Sequence, residues 1–217
     1  MELHPVYQCD DWMVVNKPAG FSVQEIQALQ DEHFHPAHRL DKDTSGLWLV
    51  ARTTEANQIL SRAFAERKVA KPYLAVTEKA PSKKQGSVIG DMERSRRGQW
   101  ILTKSRKNPA ITRFKSVGMV DGNRLVACIP ESGKTHQIRV AMKSLGSPII
   151  GDPIYNAGRN VRYDRLYLHA YVLGFYWQDQ YYRFELAPNC GVDFSGAAFS
   201  NALHNLMEFI NDATRPA

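Results

Sequence analysis

Cysteine is scarce in this 217-residue sequence: Cys9, Cys128 and Cys190 lie far apart, form no CxxC pair and are odd in number. That pattern argues against a disulfide framework and a cysteine-based zinc site, and it fits a reducing cytosol. Long apolar runs are missing too. The stretch 47–51 is far too short to span a bilayer. The opening MELHPVYQ has neither the basic nor the apolar region of a signal peptide. A soluble cytoplasmic protein without membrane contact is expected. No repeat, low-complexity tract or linker interrupts the chain, so one domain over 1–217 is expected. No GxGxxG occurs. The one phosphate-loop mimic, Gly133-Lys134-Thr135, has Cys128 where its first glycine belongs, and Pro130 removes an N–H from the cradle. Nucleotide hydrolysis is thereby disfavoured.

What the chain does have is a basic excess: 28 Lys and Arg against 22 Asp and Glu, +6 overall, with 43% hydrophobic residues to build a core. The excess is local. Residues 83–115 hold ten basic side chains, Arg94, Arg96 and Arg97 among them, against Asp91 and Glu93; the segment is +8 and the remainder −2. Such a stretch is either the footprint of a polyanion site or a solvated loop. It reads as an insertion or mobile arm within the domain.

Hydropathy patterning predicts strands at 12–16, 47–52 and 73–77, and a hairpin of 110–120 with 124–129 about Asp121-Gly122-Asn123. A second hairpin joins 166–177 to 181–186. Thr54 is expected to cap a helix carrying Ile59, Leu60, Ala63 and Phe64. A helix over 134–145 should stop at Gly146 and Pro148. Phe199, Leu203, Leu206, Met207 and Ile210 share one face of a C-terminal helix over 195–212, a packing face rather than a partner site. Hairpins dominate, so the expected fold is α+β: a central mixed, mostly antiparallel sheet flanked by helices.

Two motifs compete for the chemistry. His33, His35 and His38, followed by Asp41, suggest a zinc hydrolase of the metallo-β-lactamase kind. In that pattern an Asp directly precedes the third His, and here Ala37 stands there. Pro36 splits the cluster, and no distant ligand set completes it. No metal is expected. The other motif is His38-Arg39-Leu40-Asp41-Lys42-Asp43-Thr44-Ser45-Gly46-Leu47, a loop ahead of a buried strand. Spacing alone leaves Asp41 as an ordinary salt-bridge partner of its basic neighbours.

His38-Arg39-Leu40-Asp41 with Thr44-Ser45-Gly46-Leu47 resembles the signature of RluA-type pseudouridine synthases. The likeness runs in order from about 12 to 188. It takes in Asn16-Lys17-Pro18-Ala19-Gly20, Lys71-Pro72-Tyr73-Leu74-Ala75-Val76, Ser132-Gly133-Lys134-Thr135-His136-Gln137-Ile138-Arg139-Val140, Gly151-Asp152-x-x-Tyr155 and Leu168-His169-Ala170. Two positions depart from the pattern, Ala141 and Ser147, where the family often has His. Before residue 12 there is no space for the S4 RNA-binding domain of some members, so a member without it is expected, gripping RNA through the catalytic domain.

The resemblance implies isomerisation of a uridine in ribosomal or transfer RNA to pseudouridine, with no cofactor and no obligate protein partner; a monomer is expected. It makes Asp41 the essential carboxylate, whether as nucleophile at the sugar or the base or as a base toward the ribose. Arg139 would pair with it and orient it. Tyr73 would stack on the uracil and serve later in removal of the C5 proton. Arg39 would hold the flipped-out conformation, and Arg94, Arg96 and Arg97 would meet phosphates. Taken singly, Arg139 reads as a helix surface charge and Tyr73 as strand core. A non-catalytic RNA-binding protein on the same fold is the alternative.

Overall fold

The computed structural model describes residues 3, 5–30, 33–119, 122–156 and 163–216, Arg97 by its backbone alone. In chain order its strands are β1 (Pro5–Gln8), β2 (Trp12–Lys17), β3 (His35–Pro36), β4 (Ser45–Ala51), β5 (Tyr73–Thr77), β6 (Gln85–Gly90), β7 (Met92–Arg94), β8 (Trp100–Leu102), β9 (Ala110–Gly118), β10 (Arg124–Pro130), β11 (Leu168–Ala170), β12 (Val172–Trp177) and β13 (Gln180–Glu185). The helices are α1 (Val23–Gln27), α2 (Thr54–Ala65), α3 (Gln137–Ser144), α4 (Gly196–His204) and α5 (Met207–Asp212). Among the described residues no helix is long and apolar enough to cross a membrane.

One sheet organises the molecule, in the order β1-β2-β4-β11-β5-β10-β9-β6, with β3 also on β4. Every junction is antiparallel except β4 with β11. The α+β reading with a mixed, mostly antiparallel sheet holds. Every residue of β4 and β5 is buried, as expected of strands covered on both faces. Alternation along β4 divides them: Trp48 and Val50 enter the core under α1, α4 and α5, while Leu47 and Leu49 join Trp12, Leu60 and Phe175 on the other face. At the parallel junction Gly46 has φ +113°, and a Cβ there would lie 2.3 Å from the Ala170 carbonyl oxygen. Only glycine fits.

Several expectations are corrected. The basic segment is no mobile arm: β6 and β9 form the end of the main sheet, and the stretch between them folds into the β7–β8 hairpin. Alternation in β9 buries Phe114 and leaves Arg113 and Lys115 half-buried on the opposite face. Helix α3 begins three residues late, because His136 takes a left-handed φ of 57°. The expected strand over 166–177 breaks at Tyr171 into β11, in the main sheet, and β12, paired with β13. The cap of α2 is Thr53, extended at φ −127°, whose hydroxyl accepts the Ala56 N–H. The C-terminal helix is two: Leu206 N–H closes a tight turn onto Leu203 carbonyl between α4 and α5. Its apolar residues still pack on the core, Leu206 and Ile210 fully buried. Val120 and Asp121 of the expected turn lie outside the described residues. Patterning missed α1, whose Ser22 and Glu25 form a reciprocal capping box.

Candidate active site

Asp41 sits on the loop entering β4. Leu40 anchors the loop in the core, and the Thr44 N–H returns to the Asp41 carbonyl at 3.1 Å. A second anchor comes from the Asn16-Lys17-Pro18-Ala19-Gly20 turn. Lys17 is fully buried at the end of β2, and its Nζ donates to the carbonyls of Pro18 (2.8 Å), Phe21 (2.7 Å) and Lys42 (3.0 Å). Burial pushes this ammonium down to about 8, against the pull of Asp43 and Asp41. The side chain thus stitches the turn to the residue next to Asp41, a role that nothing in the sequence of the turn announces.

Helix α3 supplies Arg139, a residue 98 positions away that spacing alone would place on a surface. It is buried. Its Nη1 donates to Asp41 Oδ2 at 3.3 Å, while Nε and Nη2 make a two-pronged pair with Asp152 at 2.8 and 2.9 Å. Asp152 Oδ1 also accepts the N–H groups of Ile154 and Tyr155, both at 2.9 Å. A carboxylate satisfied this fully orients the guanidinium, and the guanidinium's remaining edge faces Asp41. Gly151 makes the turn possible: its φ is +72°, and a Cβ would meet the Arg165 carbonyl oxygen at 1.8 Å. Nothing in the spacing of Asp152 from Arg139 marks it as a partner.

Tyr155 closes the group from below. Arg139 lies over its ring at 5.2 Å, its hydroxyl accepts the Trp100 N–H of β8 at 2.9 Å, and it stands 3.0 Å from His136 Nδ1. The β7–β8 hairpin is therefore tied to the site through Trp100. Burial lowers the His136 pKa below the ordinary imidazole value, against the pull of Asp41. Gln137 pins the loop before α3: its Oε1 accepts from Ser132 and from the Lys134 N–H, and its Nε2 donates to Ile111 carbonyl and Thr112.

These elements enclose a cavity of about 450 Å³, within the range of small-ligand sites. Asp41, Tyr73 and Arg139 all line it. Tyr73, at the start of β5, is buried; burial and then the Asp41 charge push its phenol well above the ordinary range. It is a neutral ring at any physiological pH. Among the described lining residues Asp41 is the sole acid, against Arg39, Arg67, Lys71, Lys134 and Arg139. Burial, aided by Arg67, brings Lys71 down to about 8. Arg39 stands exposed at the rim. Arg94 and Arg96 do not line the cavity; they are exposed on the hairpin beside it, and the Arg97 side chain lies outside the described residues.

The histidine cluster is not assembled as a metal site. His38 Nε2 accepts the Leu49 N–H at 3.0 Å, and its ring stacks on Phe64 at 4.3 Å. Burial drops its pKa to about 3. It is a structural histidine, and among the described residues no group of His, Cys, Asp and Glu is arranged to hold a metal. Of the two departures from the motif pattern, Ala141 is core, and Ser147 is buried, its hydroxyl donating to the Lys79 carbonyl at 2.6 Å and lying 2.9 Å from the Thr77 hydroxyl.

The profile of the family described as RNA pseudouridylate synthase matches residues 11–144. An uncharacterised RNA pseudouridine synthase of Haemophilus influenzae is 45% identical over 203 residues, 88% of this chain and 90% of its own length. The ribosomal large subunit pseudouridine synthase C of Rickettsia bellii is 36% identical over 76% of this chain and 61% of that protein. Among solved structures, human RNA pseudouridylate synthase domain containing 1 superposes with a TM-score of 0.80 at 25% identity, covering 100% of this chain and 97% of that one. A cavity built around one carboxylate thus comes with a sequence relationship that spans the residues building it, and the chain belongs to the RluA-type family of RNA pseudouridine synthases, isomerases that modify RNA.

Proposed function

We propose that the chain isomerises a uridine in ribosomal or transfer RNA, with Asp41 as the catalytic carboxylate. The observation that carries this is the fixed line Asp152–Arg139–Asp41, which ends at the sole acid, among the described residues, of a cation-lined cavity large enough for one nucleotide. The name of the Rickettsia relative favours ribosomal RNA. A base inside a helix is out of Asp41's reach, so the uridine must leave its stack, at a cost on the order of a few kcal/mol. Arg39 at the rim suits filling the vacated space. Within the cavity the C1′–N1 bond breaks, the uracil turns and a C1′–C5 bond forms; the C5 proton departs and N1 gains one. Uridine and pseudouridine are isomers, so no oxidant or energy source enters the balance.

Arg139 acts as a positioning residue, holding Asp41 toward the ribose. Tyr73 offers a flat neutral face for the uracil, and its raised pKa suits stacking rather than a preformed phenolate. Arg67, Lys71 and Lys134 suit the phosphates of the flipped nucleotide, and Arg94, Arg96 and Arg97 those of the RNA beyond the rim.

The test is tritium release from ribosomal and transfer RNA transcripts labelled at uridine C5. Asp41→Asn is nearly isosteric and should fold and bind RNA while release falls to background. Arg139→Lys should be intermediate, since lysine keeps the charge but loses the planar fork. Near-normal release from a folded Asp41→Asn protein would overturn the assignment.

A further inference from the structure

Across Arg39 from the Asp41 cavity lies a second cavity of about 430 Å³. Gln24 and Gln27, one turn apart on α1, face it with Asn57 of α2; His35 and Pro36 of β3 supply further wall, and Arg39 and His38 belong to both cavities. Among the described residues no acid lines it. Gln24 and Gln27 are exposed; Gln27 Nε2 gives one N–H to the Phe34 carbonyl at 3.5 Å and keeps its second, and Asn57 accepts a 3.3 Å bond from Ser61 Oγ at Oδ1, leaving its NH₂ to donate.

We propose that this cleft is a subsite for an unpaired base next to the target uridine, and that it selects adenine. The inference rests on the reading of the Asp41 cavity as the place of the flipped uridine. Its neighbour on the strand must then lie within one nucleotide of Arg39, which is where the cleft opens. Single-stranded RNA is read by stacking and by hydrogen bonds to base edges. His35 and Pro36 present ring surfaces for a base to lie against. A primary amide offers one donor beside one acceptor, and adenine shows that complementary pair on both its Watson–Crick edge and its N6/N7 edge. Three amides from two helices can engage both edges at once. Guanine's adjacent N1 and N2 donors call for a carboxylate, and none of the described lining residues carries one.

The experiment uses the full chain and unmodified ribosomal and transfer RNA transcripts, with pseudouridines mapped at nucleotide resolution. Wild-type protein is compared with Gln24→Ala/Gln27→Ala and with Asn57→Ala, and each variant's fold is checked by circular dichroism. The expected result is that wild-type sites share an adenine beside the uridine, and that replacing this adenine lowers kcat/KM about tenfold or more. The variants should level that preference, mainly through KM, with kcat at saturating RNA kept. Wild-type sites with no common adenine neighbour, or variants with unchanged preference and KM, would overturn the subsite while leaving the synthase reading intact. A wild-type protein that makes no pseudouridine in any transcript would instead remove the reading on which the subsite stands.

Discussion

Inside the Asp41 cavity the charges answer one another: Arg139 lies between Asp152 and Asp41, and Lys17 spends its ammonium on three carbonyls. On the β7–β8 hairpin a few residues away, Arg94 and Arg96 stand exposed. The two regions are mechanically joined, through the Trp100–Tyr155 bond, yet they use charge in opposite ways. Interior charge is desolvated, geometrically fixed and insulated from salt; hairpin charge is hydrated and screened within about 10 Å at 0.1 M ionic strength. Interior groups are therefore suited to orienting a reacting atom, and hairpin groups to attracting a polyanion.

The largest difference should appear when Asp152 is changed. Among the described residues, Asp152→Asn leaves the buried Arg139 with the 3.3 Å contact to Asp41 as its one remaining carboxylate partner. Breaking a buried pair by removing one partner costs about 3–5 kcal/mol, so the urea midpoint should fall sharply and tritium release with it. Asp41→Asn, at a position 17% exposed and open to the cavity, should abolish release with a smaller change in midpoint. Equal stability of the two variants would mean that Asp152 does not carry the buried guanidinium.

That division also explains what could be read in advance. β4 and β5 were legible because their apolar runs have no other stable placement than the centre of a sheet. Asp41, Tyr73 and Arg139 were legible only through family motifs, since a loop aspartate, a strand tyrosine and a helix arginine carry no spacing signal. Asp152 and Lys17 escaped notice for a physical reason: their partners are set by how β2 and the 151–156 turn pack against other segments. The late start of α3 had the same origin. His136 adopts a left-handed backbone that favours no particular histidine pattern, and Gln137, bonded to β9, holds the loop before it open. The +8 charge of 83–115 was plain from composition, but composition is blind to the alternation that turns half of such a segment into sheet.

A smaller effect is expected outside the cavity. Each phosphate contact on single-stranded nucleic acid contributes about −0.7 to the slope of log affinity against log salt. Replacing Arg94, Arg96 and Arg97 together by Gln should flatten that slope by about 2 if all three meet phosphates. Affinity measured at low salt should drop while kcat at saturating RNA stays put. An unchanged slope would make the hairpin charge a solvated face. A fall in kcat at constant KM would instead move the hairpin into the site, through Trp100 and Tyr155.

The smallest effect concerns protons rather than salt. His38 and His169 are held neutral by burial, with pKa values near 3 and 4 against the ordinary 6.5. The Leu49 N–H occupies His38 Nε2; His169 Nε2 donates to the Leu186 carbonyl at 2.9 Å, so its Nδ1 accepts from Ser45. Charging either ring would cost a buried hydrogen bond or a desolvated cation. Well above pH 6.5 both are neutral in the folded and unfolded chains alike. As pH falls below 6.5 the unfolded chain takes up protons that the native chain refuses, so stability declines until the native pKa values are reached. Between pH 7 and 6 the two rings together should remove about 1 kcal/mol, seen as a lower urea midpoint. Because His169 is buried and His38 only partly exposed, that loss should change little between 0.15 M and 1 M NaCl, the reverse of the hairpin's RNA affinity. A pH effect that vanished in high salt would show that surface charge, not these two rings, sets the acid limit.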